Sequence, residues 1–240
     1  MKTYQRFASS HGPTNAAEDL CLVIDGSPSM KMADFHPSRL QGAIDSACAL
    51  IDIKQQHYPN DRVGVVSFAH DGQVHLPLRT VGTHADLAKQ ALNNVPIRYA
   101  TNIAAGLECG ASVLTGCKFE ASSSTTLSRL CATVRDTLTL DPPNKRPKRL
   151  LLLTDGEDNC STRDELYACA DHLKRQGITV VTIGIGGSPA DVNETDLKRI
   201  SSIDPATGDP QYCFINDTES LIVEFKRQAH HLARLSGKEM

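Results

Sequence analysis

The sequence predicts a doubly wound α/β fold, with a mostly parallel sheet, one antiparallel edge strand and helices on both faces. Two short apolar runs that each end in aspartate, over residues 20–25 and 150–155, are typical of strands buried on both faces of a parallel sheet. Segments with helical periodicity alternate with further apolar runs along the chain. Because parallel strands need crossover connections, this alternation favours a parallel sheet over an antiparallel one.

The predicted elements follow one another in a regular order. After the first strand, residues 38–58 carry apolar residues at helical spacing and stop before Pro59. Residues 62–69 form a second strand, and a turn at 70–73 leads into an alternating segment over 74–78, which predicts a hairpin at an edge of the sheet. The remaining predictions, in chain order, are helices over 83–93 and 101–114, a strand over 150–155, a helix over 162–176, a strand over 178–183, a helix over 191–201, a strand over 211–215 and a helix from 218 to about 235.

The chain of 240 residues is predicted to form one domain over residues 18–236. Residues 1–17 are polar and are interpreted as a flexible arm without the apolar stretch of a secretory signal, and residues 237–240 as a short tail. Residues 116–148 hold a Ser/Thr cluster, a helical pattern over 126–138 and a turn-rich basic end, and are interpreted as an insertion. The basic run over 145–149 is predicted to be solvated.

Composition argues against several classes of function. The formal net charge of −3 gives no indication of nucleic-acid binding, and every apolar run is far shorter than the roughly 20 residues of a membrane span. Eight cysteines without a CxxC pair favour reduced thiols in a cytoplasmic protein. In an exported protein, Cys109 with Cys117 and Cys160 with Cys169 are the alternative disulfide pairs.

Oxygen-bearing side chains follow the two acidic strand ends. Asp25, Ser27 and Ser29 lie in one turn after the first strand, Thr101 lies at the start of a predicted helix, and Asp155 ends the second acidic strand. Ligands of doubly wound sheets bind at the carboxyl ends of the strands, where these segments meet. Two carboxylates and three hydroxyls suit a hard cation, with Mg²⁺ favoured and Mn²⁺ or Ca²⁺ as alternatives. Water or a partner's carboxylate would complete the coordination.

These segments resemble the metal-ion-dependent adhesion site (MIDAS) of von Willebrand factor A (VWA) domains. The resemblance rests on Asp25-x-Ser27-x-Ser29, on Thr101 before a helix, and on Asp155 in Leu-Thr-Asp-Gly, and it extends over residues 18–236. It implies a Rossmann-like fold and all five side chains as metal ligands. Ser27 and Ser29 would bind the ion directly, and the other three directly or through water.

One position departs from the family pattern: Pro28 stands where the family often carries glycine. Proline fixes φ and removes a backbone donor, so it should stiffen this turn. The chain resembles the stand-alone bacterial type of VWA protein. That resemblance implies a cytoplasmic protein that works with an AAA-type ATPase or with a kinase or phosphatase partner.

The leading functional prediction is a non-enzymatic, metal-dependent protein-binding module, because the sequence shows no nucleophile paired with a base and no P-loop. One alternative is a Mg²⁺-dependent phosphate-ester hydrolase with Asp25 as nucleophile, although Ser27 stands where a second carboxylate is expected. Another is a structural assembly domain with an empty site. Glu157 and Asp158 are predicted to be solvated rim residues.

Overall fold

The computed structural model describes residues 17–117 and 146–230. That part of the chain contains a six-stranded sheet in the order β3-β2-β1-β4-β5-β6. Neighbouring strands run parallel except for β2 and β3, which form the antiparallel hairpin at one edge. The strands are β1 (Asp19–Asp25), β2 (Arg62–Phe68), β3 (Gly72–Thr80), β4 (Lys148–Thr154), β5 (Ile178–Ile185) and β6 (Tyr212–Ile215). The predicted fold class is confirmed.

Helices cover both faces of this sheet, and each face has its own hydrophobic core. The helices are α1 (Arg39–His57), α2 (Val81–Asn93), α3 (Ile103–Thr115), α4 (Arg163–Arg175), α5 (Glu194–Ile200) and α6 (Thr218–Ala229). Buried residues of α1, α2 and α6 pack in one core, and those of α3, α4 and α5 pack in the other. All seven residues of β1 are buried, with Leu22 in the first core and Val23 in the second. Burial on both faces explains the continuous apolar run.

Side-chain caps fix the first residues of the helices and account for small shifts from the predicted bounds. Ser38 caps α1 by accepting a hydrogen bond from the backbone of Gln41. Asn102 caps α3 in the same way, so this helix begins at Ile103 and Thr101 remains in the preceding loop. The last helix begins at Thr218 as predicted and ends at Ala229 with His230 as its C-cap, and residues 231–235 of the predicted helix lie outside the described residues.

The two edge strands are short or irregular. The pairing of β3 with β2 shifts register twice, between Val63 and Val65 and between Val65 and Val66. Strand β3 also contains Pro77, which has no backbone donor. At the other edge, β6 has only four residues.

Charged residues form a buried network at the amino ends of the strands. The Lys54 ammonium donates hydrogen bonds to Glu18 and, at 2.6 Å, to Asp61 Oδ2. Arg149 Nη2 donates to Glu18 Oε1 at 2.8 Å, and Arg149 Nη1 donates to Gln228 Oε1 at 2.7 Å, which joins α6 to the sheet. Arg149 is 2% exposed, so the prediction that the basic run is solvated was wrong for this residue. Its carboxylate partner lies 131 residues away in sequence and gives no local signal.

Several sequence predictions concern parts of the chain that are only partly described. Most of the arm over 1–17, most of the insertion over 116–148 with its helical pattern at 126–138, and the tail over 237–240 lie outside the described residues, so these boundaries remain predictions. The seven described cysteines are all free thiols, including both alternative disulfide pairs. Among the described helices, none is long and apolar enough to cross a membrane.

Candidate metal centre

The turn after β1 holds three of the predicted ligands close together. The Asp25 side chain is fully buried, and its Oδ1 accepts a hydrogen bond from the Ser27 backbone at 2.7 Å. Its Oδ2 accepts a hydrogen bond from the Thr154 hydroxyl at 2.6 Å, which links the ends of β1 and β4. Ser27 Oγ and Ser29 Oγ lie 3.0 Å apart. One carboxylate and two hydroxyls are therefore held in a single turn.

Close backbone contacts hold this turn in place. Gly26 donates its backbone N–H to Phe68 O at 2.7 Å and accepts a hydrogen bond from Arg98 N at 2.7 Å. A Cβ on Gly26 would lie 2.6 Å from the carbonyl oxygen of Pro96, so only glycine fits between these loops. Pro28 is the first residue of a short 3₁₀ turn, Pro28–Lys31, where the missing donor and fixed φ of proline are favourable.

The loop before α3 presents Thr101, and the loop after β4 holds it. The Thr101 backbone N–H donates to Asn159 Oδ1 at 2.9 Å, and the Asn159 backbone N–H donates to Thr101 O at 3.0 Å. Asn102 N donates to Ala69 O at 2.7 Å, which ties the same loop to the end of β2. Ala100 has a φ of 69°, a left-handed conformation that costs energy for a residue with a Cβ. Thr101 is thus fixed by contacts on both sides.

Asp158 is a structural residue of this loop, and its predicted role as a solvated rim residue was wrong. It is half-buried, and its Oδ2 accepts a hydrogen bond from Ile103 N at 2.9 Å at the start of α3. Its Oδ1 accepts hydrogen bonds from Cys160 N and Ser161 N, both at 2.9 Å. An aspartate whose side chain accepts from the backbone two residues on is a recognised turn former, and that local signal was available in the sequence. Glu157 is exposed as predicted.

Asp155, the last predicted ligand, is 2% exposed and has two oxygens in different situations. Its Oδ2 accepts a hydrogen bond from Arg39 Nη1 at 3.2 Å. Its Oδ1 is buried and has no hydrogen-bond partner among the described residues. Arg39 was not predicted as part of the site, because it lies 116 residues away in sequence and belongs to a helix whose apolar pattern gives no hint of it.

The two buried carboxylates repel each other. Burial, and then the negative charge of Asp155, raise the pKa of Asp25 to about 7, and hydrogen bonds from Thr154 and Ser27 oppose that rise only in part. Such a pair is costly without a compensating cation. The pair therefore favours binding of a positive charge at this edge.

The structure thus brings all five predicted residues to the carboxyl edge of the sheet, on three segments that are hydrogen-bonded to one another. The donor set is entirely oxygen, and one buried carboxylate oxygen lacks a partner among the described residues. Among the described residues, no three His, Cys, Asp or Glu side chains lie together in a group that could hold a metal ion. The candidate site has only two side chains of these types, Asp25 and Asp155, because its other three oxygen ligands would be hydroxyls. This donor set fits a hard divalent cation.

Comparison with known proteins identifies a family and relatives for most of the chain. A family model for the von Willebrand factor type A domain matches residues 19–228. Collagen alpha-5(VI) chain of Mus musculus is 26% identical over 187 residues, which are 78% of this chain and 6% of that protein. A UPF0353 protein of Mycobacterium avium is 26% identical over 206 residues, or 82% of this chain and 55% of that protein. The chain therefore spans about half the length of the mycobacterial relative and a small part of the collagen chain.

Solved structures share the fold. A von Willebrand factor type A protein from Catenulispora acidiphila matches with a TM-score of 0.65 and 19% identity, over 94% of this chain and 44% of that chain. The conserved hypothetical protein BatB from Bacteroides thetaiotaomicron matches with a TM-score of 0.59 and 19% identity, over 91% of this chain and 100% of that chain. At these identities the similarity concerns the fold.

Proposed function

Because the chain belongs to the von Willebrand factor type A family, whose domains generally mediate interactions between proteins, we propose that it is a divalent-metal-dependent protein-binding module. The observation that carries this proposal is the buried pair Asp25 and Asp155, with Asp155 Oδ1 left without a partner among the described residues. Two buried carboxylates that repel each other lower the stability of the fold, and a bound cation would offset that cost.

The residues that would hold the ion are Asp25, Ser27, Ser29, Thr101 and Asp155. Mg²⁺ suits this small donor set best, with Mn²⁺ or Ca²⁺ as alternatives. A bound ion would supply positive charge to the two carboxylates and offer a coordination position to an Asp or Glu of a partner protein. The side chains of this turn are already ordered. Hydrogen bonds fix both oxygens of Asp25, and the Ser27 and Ser29 hydroxyls lie side by side.

Exposed side chains around this edge support a protein partner. Tyr99, two residues before Thr101, is 88% exposed, and Met32, three residues after Ser29, is 52% exposed. Aromatic residues and methionine are enriched where proteins bind one another. We therefore expect the partner to present a carboxylate with apolar residues beside it.

The buried state of Asp25 favours binding over hydrolysis. A nucleophile of a phosphate-ester hydrolase must reach its substrate, whereas Asp25 is 0% exposed and both of its oxygens accept hydrogen bonds. The residue two positions on is Ser27, so the site also lacks the second carboxylate expected of such an enzyme.

A cytoplasmic location forms part of the proposal. The seven described cysteines are free, and Cys21 and Cys169 are buried as small apolar side chains, as is usual for proteins of reducing compartments. Family analogy extends the proposal to an AAA-type ATPase or a kinase or phosphatase as the acidic partner.

Titration of Mg²⁺ and Mn²⁺ into chelator-treated protein tests the proposal, with calorimetry and thermal unfolding as readouts. We expect saturable binding by the wild type, an increase in stability of about 2.7 kcal/mol at 100 times Kd, and neither effect in Asp25→Ala with Ser27→Ala. The matched control is Asp45→Ala, an exposed aspartate of α1, which should bind like the wild type.

Two outcomes would contradict the proposal. Failure of the wild type to bind either ion, alone and with an acidic peptide present, would favour a structural domain. Turnover of a phosphate ester that depends on Asp25 would favour the hydrolase.

A further inference from the structure

Arg39 is a buried cation that joins the candidate metal centre to a neighbouring loop. It is the first residue of α1, and its side chain is 4% exposed. Nη1 donates to Asp155 Oδ2 at 3.2 Å, while Nε donates to Asp34 Oδ1 at 3.0 Å and Nη2 to Asp34 Oδ2 at 2.5 Å. Asp34 Oδ2 also accepts a hydrogen bond from Gly187 N at 3.0 Å, in the loop after β5. A continuous chain of hydrogen bonds therefore runs from Asp155 to that loop.

These hydrogen bonds give the two oxygens of Asp155 different roles. Arg39 donates to Oδ2, whereas Oδ1 is buried and has no hydrogen-bond partner among the described residues, so Oδ1 is the oxygen left for an ion. Residues that hold a metal ligand by its second atom fix the orientation of the ligand, and their loss typically lowers metal affinity by about 10- to 100-fold.

Asp34 offsets the positive charge of Arg39, so that the negative charge of Asp155 stays available to a metal ion. A single positive charge beside Asp155 would compete with a divalent cation for the carboxylate. The two-pronged contact of Asp34 with Nε and Nη2 neutralises the guanidinium and orients its remaining nitrogen toward Asp155. Only arginine can serve two carboxylates in this way, because its donors form a rigid planar fork, whereas a lysine ammonium acts as a point charge.

We propose that Arg39 and Asp34 are positioning residues of the metal centre: Arg39 orients Asp155 toward the ion, and Asp34 offsets the charge of Arg39. This inference rests on the proposed function, because it concerns affinity for the metal. It adds two residues outside the five predicted ligands and makes the loop at Gly187 part of the structure that supports the site.

Calorimetric titration of Mn²⁺ and Mg²⁺ into four variants tests this inference. Asp34→Asn keeps the shape and removes the charge, and Arg39→Lys keeps the charge and removes the fork. We expect each to weaken metal binding about tenfold or more. Asp34→Glu, which restores the charge, should recover most of the affinity that Asp34→Asn loses. Asp45→Asn makes the same charge change on an exposed residue of α1 and should bind like the wild type.

The outcomes separate this inference from the proposed function. If the wild type binds no metal, the proposed function fails. If the wild type binds and both Asp34→Asn and Arg39→Lys bind within twofold of it, the positioning role is wrong while the metal centre stands. Equal weakening by Asp34→Asn and Asp34→Glu would also overturn the role assigned to Asp34, because charge would then make no difference. Circular dichroism of each metal-free variant checks that it is folded, and Asp34, which is partly exposed, tolerates substitution more readily than Arg39.

Discussion

Buried carboxylates are paired with cations to different extents at the two ends of the sheet. At the amino ends of the strands, Glu18 Oε1 is held by both Lys54 and Arg149, so the charge of this carboxylate is balanced by two cations, although its Oε2 has no hydrogen-bond partner among the described residues. At the carboxyl ends, Asp25 and Asp155 are both buried, and Arg39, the cation that contacts Asp155, is shared with a further carboxylate. The first edge has the charge balance of a structural network, and the second has a deficit of positive charge.

The pKa values of the two edges differ accordingly. Burial alone would raise the pKa of Glu18, but the charges of Arg149 and Lys54 outweigh it and hold that pKa below its ordinary value. At the other edge, burial and the charge of Asp155 raise the pKa of Asp25 to about 7. The contrast shows that burial by itself does not decide the ionisation of a carboxylate. At Glu18 two neighbouring cations reverse the effect of burial, whereas at Asp25 a neighbouring carboxylate adds to it, and this difference marks the carboxyl edge as the site that gains from a cation.

The largest effect is expected from Glu18→Gln at the amino edge. The variant leaves Arg149 as a buried cation without a carboxylate partner, while Lys54 keeps Asp61, and the loss should lower the free energy of unfolding by about 3–5 kcal/mol. Equilibrium denaturation in guanidinium chloride measures this change. Glu219→Gln, an exposed glutamate of α6, is the control and should cost less than about 1 kcal/mol. A similar small loss for both variants would mean that the amino edge is not a stabilising network.

Asp25→Asn should act in the opposite direction in the absence of metal. The amide keeps an acceptor for the Ser27 backbone and removes one of two repelling charges, so the chelated variant should be at least as stable as the chelated wild type at pH 8. The wild type should gain about 2.7 kcal/mol from metal at 100 times Kd, and the variant should gain nothing. Thermal unfolding with and without Mg²⁺ tests both statements. A marked loss of stability in the chelated variant would show that Asp25 is structural rather than held for a cation.

The pH dependence of metal-free stability should also differ between the two edges. Asp25 binds a proton more tightly in the folded state, so its contribution falls as pH rises from its ordinary pKa of 3.8 to about 7. Glu18 has a lowered folded pKa, so its contribution is present above its ordinary value of 4.5 and is lost as pH falls through the folded pKa. For Asp25 the expected fall in stability is several kcal/mol, since a tenfold change in proton affinity corresponds to about 1.4 kcal/mol.

Denaturation curves from pH 3 to pH 8, in chelator, compare the wild type with the two variants already described. Asp25→Asn should remove the fall in stability toward neutral pH, and Glu18→Gln should remove part of the loss in acid. A wild-type profile that Asp25→Asn leaves unchanged would contradict the assignment of the first effect to Asp25.

The smallest effect is expected from Asn159→Ala within the carboxyl edge. This variant removes the acceptor of the Thr101 backbone N–H and should cost about 1 kcal/mol in stability. Because Thr101 would then be less firmly held, metal affinity should fall by up to about tenfold. Calorimetry and denaturation give the two values, with Asn93→Ala on the exposed face of α2 as the control. Loss of stability without loss of affinity would show that the position of Thr101 does not depend on Asn159.

Much of this architecture could be predicted because the signals are local. Strands buried on both faces leave continuous apolar runs, as in β1 and β4, and parallel strands bring their carboxyl ends to one edge. The candidate ligands follow directly from those strand ends. Contacts between distant segments leave no such trace. Arg149 was missed because its carboxylate partner lies 131 residues away. Arg39 has one carboxylate partner, Asp34, five residues away, but its contact with the candidate site is Asp155, which lies 116 residues away. In sequence, each arginine resembles an ordinary surface residue.

The irregular edges of the sheet bear on aggregation. A strand from another molecule extends a sheet only where it finds a long, regular row of backbone donors and acceptors. Strand β3 shifts register twice and lacks a donor at Pro77, and β6 offers only four residues. Both features discourage strand addition in concentrated solution. Self-association through the sheet is therefore disfavoured, which leaves the loops of the carboxyl edge as the surface for the proposed metal-dependent binding.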